Sequence, residues 1–308
     1  MRILFMGTPE FAVPSLRALV GEHEVLGVVT QPDRRAGRGQ RVVFSPVKEV
    51  ALEYGLPVFQ PEKVSDPQVM AELEALGADL FVVVAFGQKI PDRLLAAPTY
   101  GCVNVHSSLL PKYRGAAPIN AAILHGDDVT GVTTMYLGSG WDDGDIILQA
   151  EEPILPRETA GTLHDRLMVK GAELLLETVR QIAQGSAPRI PQDHSKASYA
   201  FKLKKEAAQV DFGRTAQKLD RLVRAMNPWP VAWAQIRGET VRIWEAEPAE
   251  EGQKGQPGEI LSLSEQGLLV ACGSGALFLQ SMQRPGGKVL SGLDFANGLR
   301  LRVGEILN

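Results

Sequence analysis

Two polar side chains alternate with valines in the segment formed by residues 101–107. Successive residues of a β-strand point to opposite faces, so Asn104 and His106 are predicted to share one face, with Val103 and Val105 on the other. Either polar residue alone is typical of a hydrogen-bonded buried group. Placed together on one strand face, they favour a catalytic site in which the imidazole acts in general acid–base chemistry.

A carboxylate that could serve this histidine lies in the Asp- and Gly-rich segment 140–145, between the strand-like segments 132–137 and 146–148. Such a segment by itself is typical of a solvent-exposed turn. A carboxylate that reaches a histidine orients the ring and stabilises its charge, as acid–base catalysis requires. Asp142 and Asp143 are both candidates for this role.

Basic residues are concentrated in two places. Residues 31–41 follow a predicted strand and contain four arginines and two glycines, a composition that suits a basic loop contacting phosphates but also a plain solvated surface. The four arginines are Arg34, Arg35, Arg38 and Arg41. A second cluster lies in a predicted connector and contains Lys196, Lys202, Lys204 and Lys205.

The elements that must position these residues are those of an α/β domain. Apolar runs without alternation at residues 3–6, 25–30 and 79–86 predict parallel strands buried on both faces, and helical patterns at 46–54 and 66–76 separate them. The alternation predicts a Rossmann-like, mostly parallel sheet. Ligands of such sheets bind beyond the carboxyl ends of the strands, where the loop after His106 is expected.

The second half of the chain has a different pattern. An amphipathic helix is predicted at 162–183, after which short alternating strands with frequent glycines predict a small antiparallel β-barrel. We therefore predict three regions: a catalytic domain of residues 1–189, a basic linker of residues 190–207 and a barrel domain of residues 208–308.

Composition excludes several classes of protein. The chain has 308 residues, 44% of them hydrophobic and 22% charged, with a net charge of -4, which predicts a compact globular fold. Cys102 and Cys272 lie in apolar runs and are expected to be thiols in the cytoplasm. No signal or membrane segment and no metal-ligand spacing is found, and residues 7–9 lack the glycines of a nucleotide-binding loop. We expect a monomer that uses no metal.

The segment containing Asn104 and His106, together with residues 108–119 (Ser-Leu-Leu-Pro-Lys-Tyr-Arg-Gly-Ala-Ala-Pro-Ile), resembles the signature of folate-dependent formyltransferases. The resemblance implies that Asn104, His106 and Asp142 form the catalytic set. Asp142 is preferred to Asp143 by register, since the family usually has Leu-Asp-Thr-Gly-Asp where this chain has Trp-Asp-Asp-Gly-Asp. The family resemblance also implies that the loop of residues 108–111 contacts the tetrahydrofolate donor, through Ser108, Leu109, Leu110 and Pro111.

The basic loop resembles the Pro-Asp-Arg-x-Ala-Gly-Arg-Gly loop of methionyl-tRNA formyltransferases, with Arg35 at a position that is often proline. This resemblance implies that the loop's four arginines bind the tRNA acceptor end, with Arg38 at the most implicated position. Lys202, Lys204 and Lys205 match the family's tRNA-facing linker. The barrel is implied to be OB-like and to contact tRNA.

The implied reaction transfers a formyl group from 10-formyltetrahydrofolate to the α-amino group of initiator methionyl-tRNA. Asn104 would donate a hydrogen bond to the oxyanion of a tetrahedral intermediate, and Asp142 would hold His106 and assist proton movement. Three alternatives stay open: a sugar-nucleotide formyltransferase, which has no use for the basic loop, a tRNA-binding protein without catalysis, and a folate-dependent hydrolase that releases formate.

Overall fold

The computed structural model describes residues 1–36, 41–249 and 254–307, without the side chains of residues 35, 36 and 41. The chain forms two compact units, each assembled from separate segments. The first unit contains Met1–Pro118, Val129–Pro153 and His164–Ala200, and the second contains Ile119–Asp128, Ile154–Leu163 and the chain from Phe201 onward.

The strands of the first unit are β1 (Arg2–Gly7), β2 (Glu24–Val29), β3 (Arg34–Ala36), β4 (Arg41–Val43), β5 (Val58–Phe59), β6 (Leu80–Val84), β7 (Cys102–His106), β8 (Arg114–Gly115), β9 (Val129–Tyr136), β10 (Ile146–Pro153) and β11 (Tyr199–Ala200). In the described residues, seven of them form one sheet in the order β10-β9-β7-β6-β1-β2-β5. Neighbours from β5 to β7 are parallel, whereas β9 is antiparallel to both β7 and β10. The prediction of a mostly parallel sheet is confirmed.

The central strands are apolar because both of their faces are covered. Every residue of β6 and of β7 is buried. Helices precede or follow the strands, as an α/β fold requires. They are α1 (Val13–Glu22), α2 (Pro46–Glu53), α3 (Pro67–Ala75), α4 (Asp92–Leu95) and α6 (Ala160–Ala183), whereas α5 (Pro118–His125) belongs to the second unit from Ile119 onward.

Helix starts follow capping chemistry that is visible in the sequence. The side chain of Ser45 accepts a hydrogen bond from the Lys48 amide (3.1 Å) before α2, and the side chain of Asp66 accepts one from the Gln68 amide (2.9 Å) before α3. In both helices the cap is followed by proline, whose missing amide hydrogen is not needed in the first turn.

Helix α6 covers the valine face of β7. A Cβ atom built on Gly171 of α6 would lie 3.1 Å from Val105 Cγ1, so the glycine allows close approach of helix and strand. Thr134 of β9 and Thr178 of α6 share a hydrogen bond between their hydroxyls (2.7 Å). The face of β7 that carries Asn104 and His106 is therefore turned away from α6.

The second unit is an antiparallel β domain, as predicted. Its elements are α7 (Ala216–Ala225), β12 (Ala232–Ile236), β13 (Glu239–Pro248), β14 (Ile260–Ser264), β15 (Gly267–Ala271), β16 (Ala276–Gln283), β17 (Val289–Ser291) and α8 (Gly292–Leu299). The strands are ordered β12-β13-β16-β15-β14, and β17 pairs with β16. Leu219, Leu222 and Val223 of α7 are buried in the core of this unit.

Residues of the predicted linker divide between the two units. Ile190 bridges to Ile146, and β11 pairs with β8, so residues up to Ala200 belong to the first unit. Three short 3-10 turns complete the secondary structure of the described chain: Glu10–Ala12, His194–Lys196 and Lys205–Ala208. None of the described helices has the length and apolar character needed to cross a membrane.

Candidate active site

Asn104 occupies a buried position on β7 with its amide unused. Its residue is 8% exposed, and its side chain forms no hydrogen bond with any other described residue. In the described residues, fully buried side-chain nitrogen or oxygen atoms without a partner occur at His23 and Ser264 but not at Asn104, so the Asn104 amide atoms are open to solvent and to a ligand. The geometry suits a hydrogen-bond donor reserved for a substrate oxygen.

His106 is held by its backbone surroundings in a defined tautomer. Its Nε2 atom lies 3.0 Å from the carbonyl oxygen of Tyr113. A carbonyl can only accept a hydrogen bond, so Nε2 must carry the hydrogen. Nδ1 is left as the nitrogen that gains or loses a proton, and it lies 3.7 Å from Oδ2 of Asp142. This is an ion-pair distance, too long for a direct hydrogen bond, so a charged ring would be stabilised by the carboxylate without sharing a proton with it.

The Asp142 side chain is held in place by β8. Its Oδ2 atom accepts a hydrogen bond from the Gly115 amide of β8 (2.8 Å), and its backbone has a positive φ of 49°. The neighbouring Asp143 turns away, since a Cβ built on Gly140 would lie 1.9 Å from Asp143 Oδ2. Of the two candidate carboxylates, the structure brings Asp142 to His106.

Gln192 was not identified from the sequence, although it contacts the loop that carries Asp142. Residues 140–145, which contain Asp142, form the catalytic loop. The Gln192 amide nitrogen donates to the backbone carbonyls of Asp142 (2.9 Å) and Gly144 (2.8 Å). Its amide oxygen accepts from Arg114 Nε (3.1 Å) and Nη2 (2.7 Å). Gln192 lies in the predicted linker, and only the position of Arg114 within the signature could have drawn attention to this pair.

The loop predicted to contact folate, residues 108–111, is held by β9 and β10. Thr133 Oγ1 donates to the Ser108 carbonyl (2.6 Å) and accepts from the Leu110 amide (3.1 Å). The Gln149 amide nitrogen donates to the Leu110 carbonyl (2.9 Å). The Ser108 hydroxyl is fully buried and donates to the Lys112 carbonyl (2.6 Å), so it closes the loop.

Apolar contacts give this loop its remaining support. Leu110 is buried in a small cluster with Met135 and Ile146. Leu109 and Pro111 are partly exposed. The loop thus combines a fixed backbone with apolar side chains that reach solvent, an arrangement suited to a flat aromatic ligand.

Of the predicted basic loop, residues 34–36 form β3 and residue 41 begins β4, and these two strands pair as a short hairpin. Arg34 is exposed, whereas Arg38 lies outside the described residues, as do the side chains of Arg35 and Arg41. The base of the hairpin is anchored by Asp33, which accepts from Lys48 Nζ (2.5 Å) and from Gln60 Nε2 (2.8 Å). These hydrogen bonds, chiefly that of Lys48, lower the pKa of Asp33 below its ordinary value.

The second basic cluster lies at the start of the second unit. Lys202, Lys204 and Lys205 are exposed. None of their side chains forms an ion pair with another residue in the described part of the chain. Their charges are therefore available to an anionic partner.

The two cysteines take no part in this site. Burial raises the pKa of the Cys102 thiol to about 12 and that of Cys272 to about 11, so both are unreactive thiols at neutral pH. The described side chains include no group of three or more His, Cys, Asp or Glu residues that could hold a metal ion.

Comparison with known proteins gives consistent results over the whole chain. Residues 1–179 match the family model described as formyl transferase, and residues 202–300 match its C-terminal domain. A methionyl-tRNA formyltransferase of Xanthomonas axonopodis pv. citri is 49% identical over 301 residues, covering 97% of this chain and 98% of that protein. Another, of Hydrogenovibrio crunogenus, is 45% identical over 302 residues, covering 98% of this chain and 97% of that protein.

A solved structure shares the fold at lower identity. WlaRD, a sugar 3N-formyl transferase crystallised in the presence of dTDP and 5-N-formyl-THF, aligns with a TM-score of 0.67 at 20% identity. The alignment covers 94% of this chain and 99% of that one.

Proposed function

The chain belongs to the methionyl-tRNA formyltransferase family, and from this premise we propose that it formylates initiator methionyl-tRNA with 10-formyltetrahydrofolate as donor. The observation that carries the proposal is the Asn104 amide, which has no hydrogen-bond partner in the described residues and shares one face of β7 with a histidine that faces Asp142. This is the apparatus that transfer of a formyl group to an amine requires.

The reaction begins when the α-amino group of the methionyl ester attacks the formyl carbon. A carbon–nitrogen bond forms, the carbonyl electrons move to oxygen, and a tetrahedral intermediate results. Asn104 donates a hydrogen bond to this oxyanion, a contact whose loss costs about 2.7 to 4 kcal/mol in comparable acyl transfers. A proton on His106 Nδ1 would add positive charge to the same site.

Collapse of the intermediate needs one proton to move. The attacking nitrogen has become an ammonium, and N10 of the folate must be protonated as its bond to the formyl carbon breaks. Asp142 is the proposed carrier, since its Oδ2 is held by the Gly115 amide while the carboxylate lies beside the ring. Well-placed proton transfer of this kind contributes roughly a hundredfold to ten-thousandfold.

Residues 108–111 are proposed to contact the pteridine-containing donor. The backbone of this loop is fixed by Thr133 and Gln149, and Leu109 and Pro111 reach solvent. Ser108 would act by shaping the loop, and Leu110 by packing beneath it. The related fold of WlaRD, crystallised in the presence of 5-N-formyl-THF, supports a folate donor.

The tRNA is proposed to bind through phosphate contacts from exposed cations. The set contains the four arginines of the basic loop and three lysines of the second unit. These residues are Arg34, Arg35, Arg38, Arg41, Lys202, Lys204 and Lys205. We also propose the division into a catalytic domain (1–189), a basic linker (190–207) and an OB-like tRNA-binding domain (208–308), acting as a cytoplasmic monomer without a metal ion.

The test is formyl transfer from 10-formyltetrahydrofolate by the purified protein, with initiator methionyl-tRNA, elongator methionyl-tRNA, free methionine and a dTDP-linked amino sugar as competing acceptors. We expect formylation of the initiator methionyl-tRNA. Preferred formylation of the amino sugar would replace the proposal with a sugar formyltransferase. Formate release without an acceptor would indicate a hydrolase, and tRNA binding with no transfer a non-catalytic protein.

A further inference from the structure

We propose that Gln192 is a positioning residue for formyl transfer, which holds the catalytic loop in its active shape through the buried guanidinium of Arg114. The inference rests on the proposed function. It assigns a role in the reaction to a residue 50 positions from Asp142 in sequence.

Every hydrogen-bonding group of the Gln192 amide is engaged. The residue is 6% exposed, and its two N–H groups point to the carbonyls of Asp142 and Gly144. Its oxygen receives two hydrogen bonds from Arg114. A primary amide offers two donors and two acceptor positions, so this side chain is saturated and its orientation is determined by its neighbours.

Arg114 completes the support from β8. It is 3% exposed, and its Nη1 donates to His194 Nδ1 at 3.2 Å. The next residue of β8, Gly115, donates its amide to the Asp142 carboxylate. Asp142 is thus held at two points from one short strand: its carboxylate directly, and its main-chain carbonyl through Gln192.

The catalytic loop needs such support because burial supplies little. Residues 138–141 are exposed, and Trp141 is 71% exposed. Asp142 has a positive φ, which is uncommon for residues other than glycine. A Cβ on Gly144 would lie 1.9 Å from the Tyr136 carbonyl oxygen, so the chain turns closely against the end of β9. With few apolar contacts, hydrogen bonds to the backbone must maintain this turn.

Loss of the Gln192 donors should therefore displace Asp142 and leave the substrate-binding parts in place. Asn104 is fixed by the sheet, and the backbone of residues 108–111 is held by Thr133 and Gln149. In the described residues neither of these two side chains forms a hydrogen bond with Gln192, whose Nε2 contacts Sδ of Met135 (3.9 Å), a residue that packs against Leu110 of this loop. The expected signature is a lower kcat with unchanged KM values. A displacement of 1 Å can reduce the rate about a hundredfold.

The test compares Gln192→Glu with the unsubstituted protein. Glutamate keeps the size of the side chain and can still accept from Arg114, but it places an oxygen against the two loop carbonyls. We expect kcat to fall about 10- to 100-fold, with the KM values for 10-formyltetrahydrofolate and methionyl-tRNA changed less than about threefold. Gln68→Glu, the same change at an exposed position of α3, is the matched control and should leave both parameters unchanged.

A second comparison separates positioning of Asp142 from a general structural effect. In an Asp142→Asn background, Gln192→Glu should lower the single-turnover rate less than about threefold, because the residue on which it acts is already disabled. The inference would be overturned if Gln192→Glu lowered the rate as much in the Asp142→Asn background as in the unsubstituted protein. It would also be overturned if Gln192→Glu alone left kcat unchanged or changed only KM. If Gln192→Glu does not fold, Arg114→Lys replaces it in the unsubstituted and Asp142→Asn backgrounds, with the same expected results. Absence of transfer by the unsubstituted protein would instead refute the proposed function.

Discussion

At the scale of single residues, the site depends on a polar side chain that is left open for a ligand. Asn104 is a largely buried residue, but its amide atoms are open to solvent and bond to no other described residue. We expect Asn104→Ala to lower kcat about 100- to 1,000-fold, as loss of an oxyanion donor does, while the free energy of unfolding changes by less than about 1 kcal/mol because no hydrogen bond between described residues is lost. Single-turnover kinetics and denaturant unfolding measure the two effects. A variant that keeps its activity, or loses several kcal/mol of stability, would assign Asn104 to the core.

At the scale of elements, β9 separates two functions by the alternation of its side chains. Thr133 supports residues 108–111, whereas Thr134 faces α6 and bonds to Thr178. We expect Thr133→Val to raise the KM for 10-formyltetrahydrofolate and to cost about 1 to 3 kcal/mol of stability, since the Leu110 amide loses its partner. Thr134→Val is the matched control: it should cost stability without changing that KM. Equal KM changes in both variants would show that the effect is only loss of sheet stability.

At the scale of the whole molecule, a net charge of -4 conceals local basic clusters. If Lys204 and Lys205 contact tRNA phosphates, the double substitution Lys204→Glu/Lys205→Glu should raise the KM for methionyl-tRNA and reduce its dependence on salt, by a slope of about one per lost contact. The KM for folate should stay constant. Lys63→Glu, at another exposed lysine, serves as the control. Similar effects of both changes would attribute the salt dependence to overall charge.

Much of this organisation is determined by local sequence. Apolar runs identified β1, β2 and β6, and helical patterns at 46–54 and 66–76 located α2 and α3, whose first turns the structure shows capped by Ser45 and Asp66. The alternation of β7 put Asn104 and His106 on one face. These features depend on neighbouring residues, whose periodicity and capping groups act over a few positions of the chain.

Only the tertiary structure decided which groups meet across the sheet. Residue type and spacing do not distinguish Asp142 from Asp143, which only the register of the family motif separated, and the physical choice is made where the Gly115 amide of β8 reaches Asp142. Gln192 was assigned to a linker because it has no local pattern, yet β11 pairs with β8 and brings the preceding chain to the catalytic loop. Such contacts join segments far apart in sequence, so they depend on how the strands pair and not on the composition of either segment.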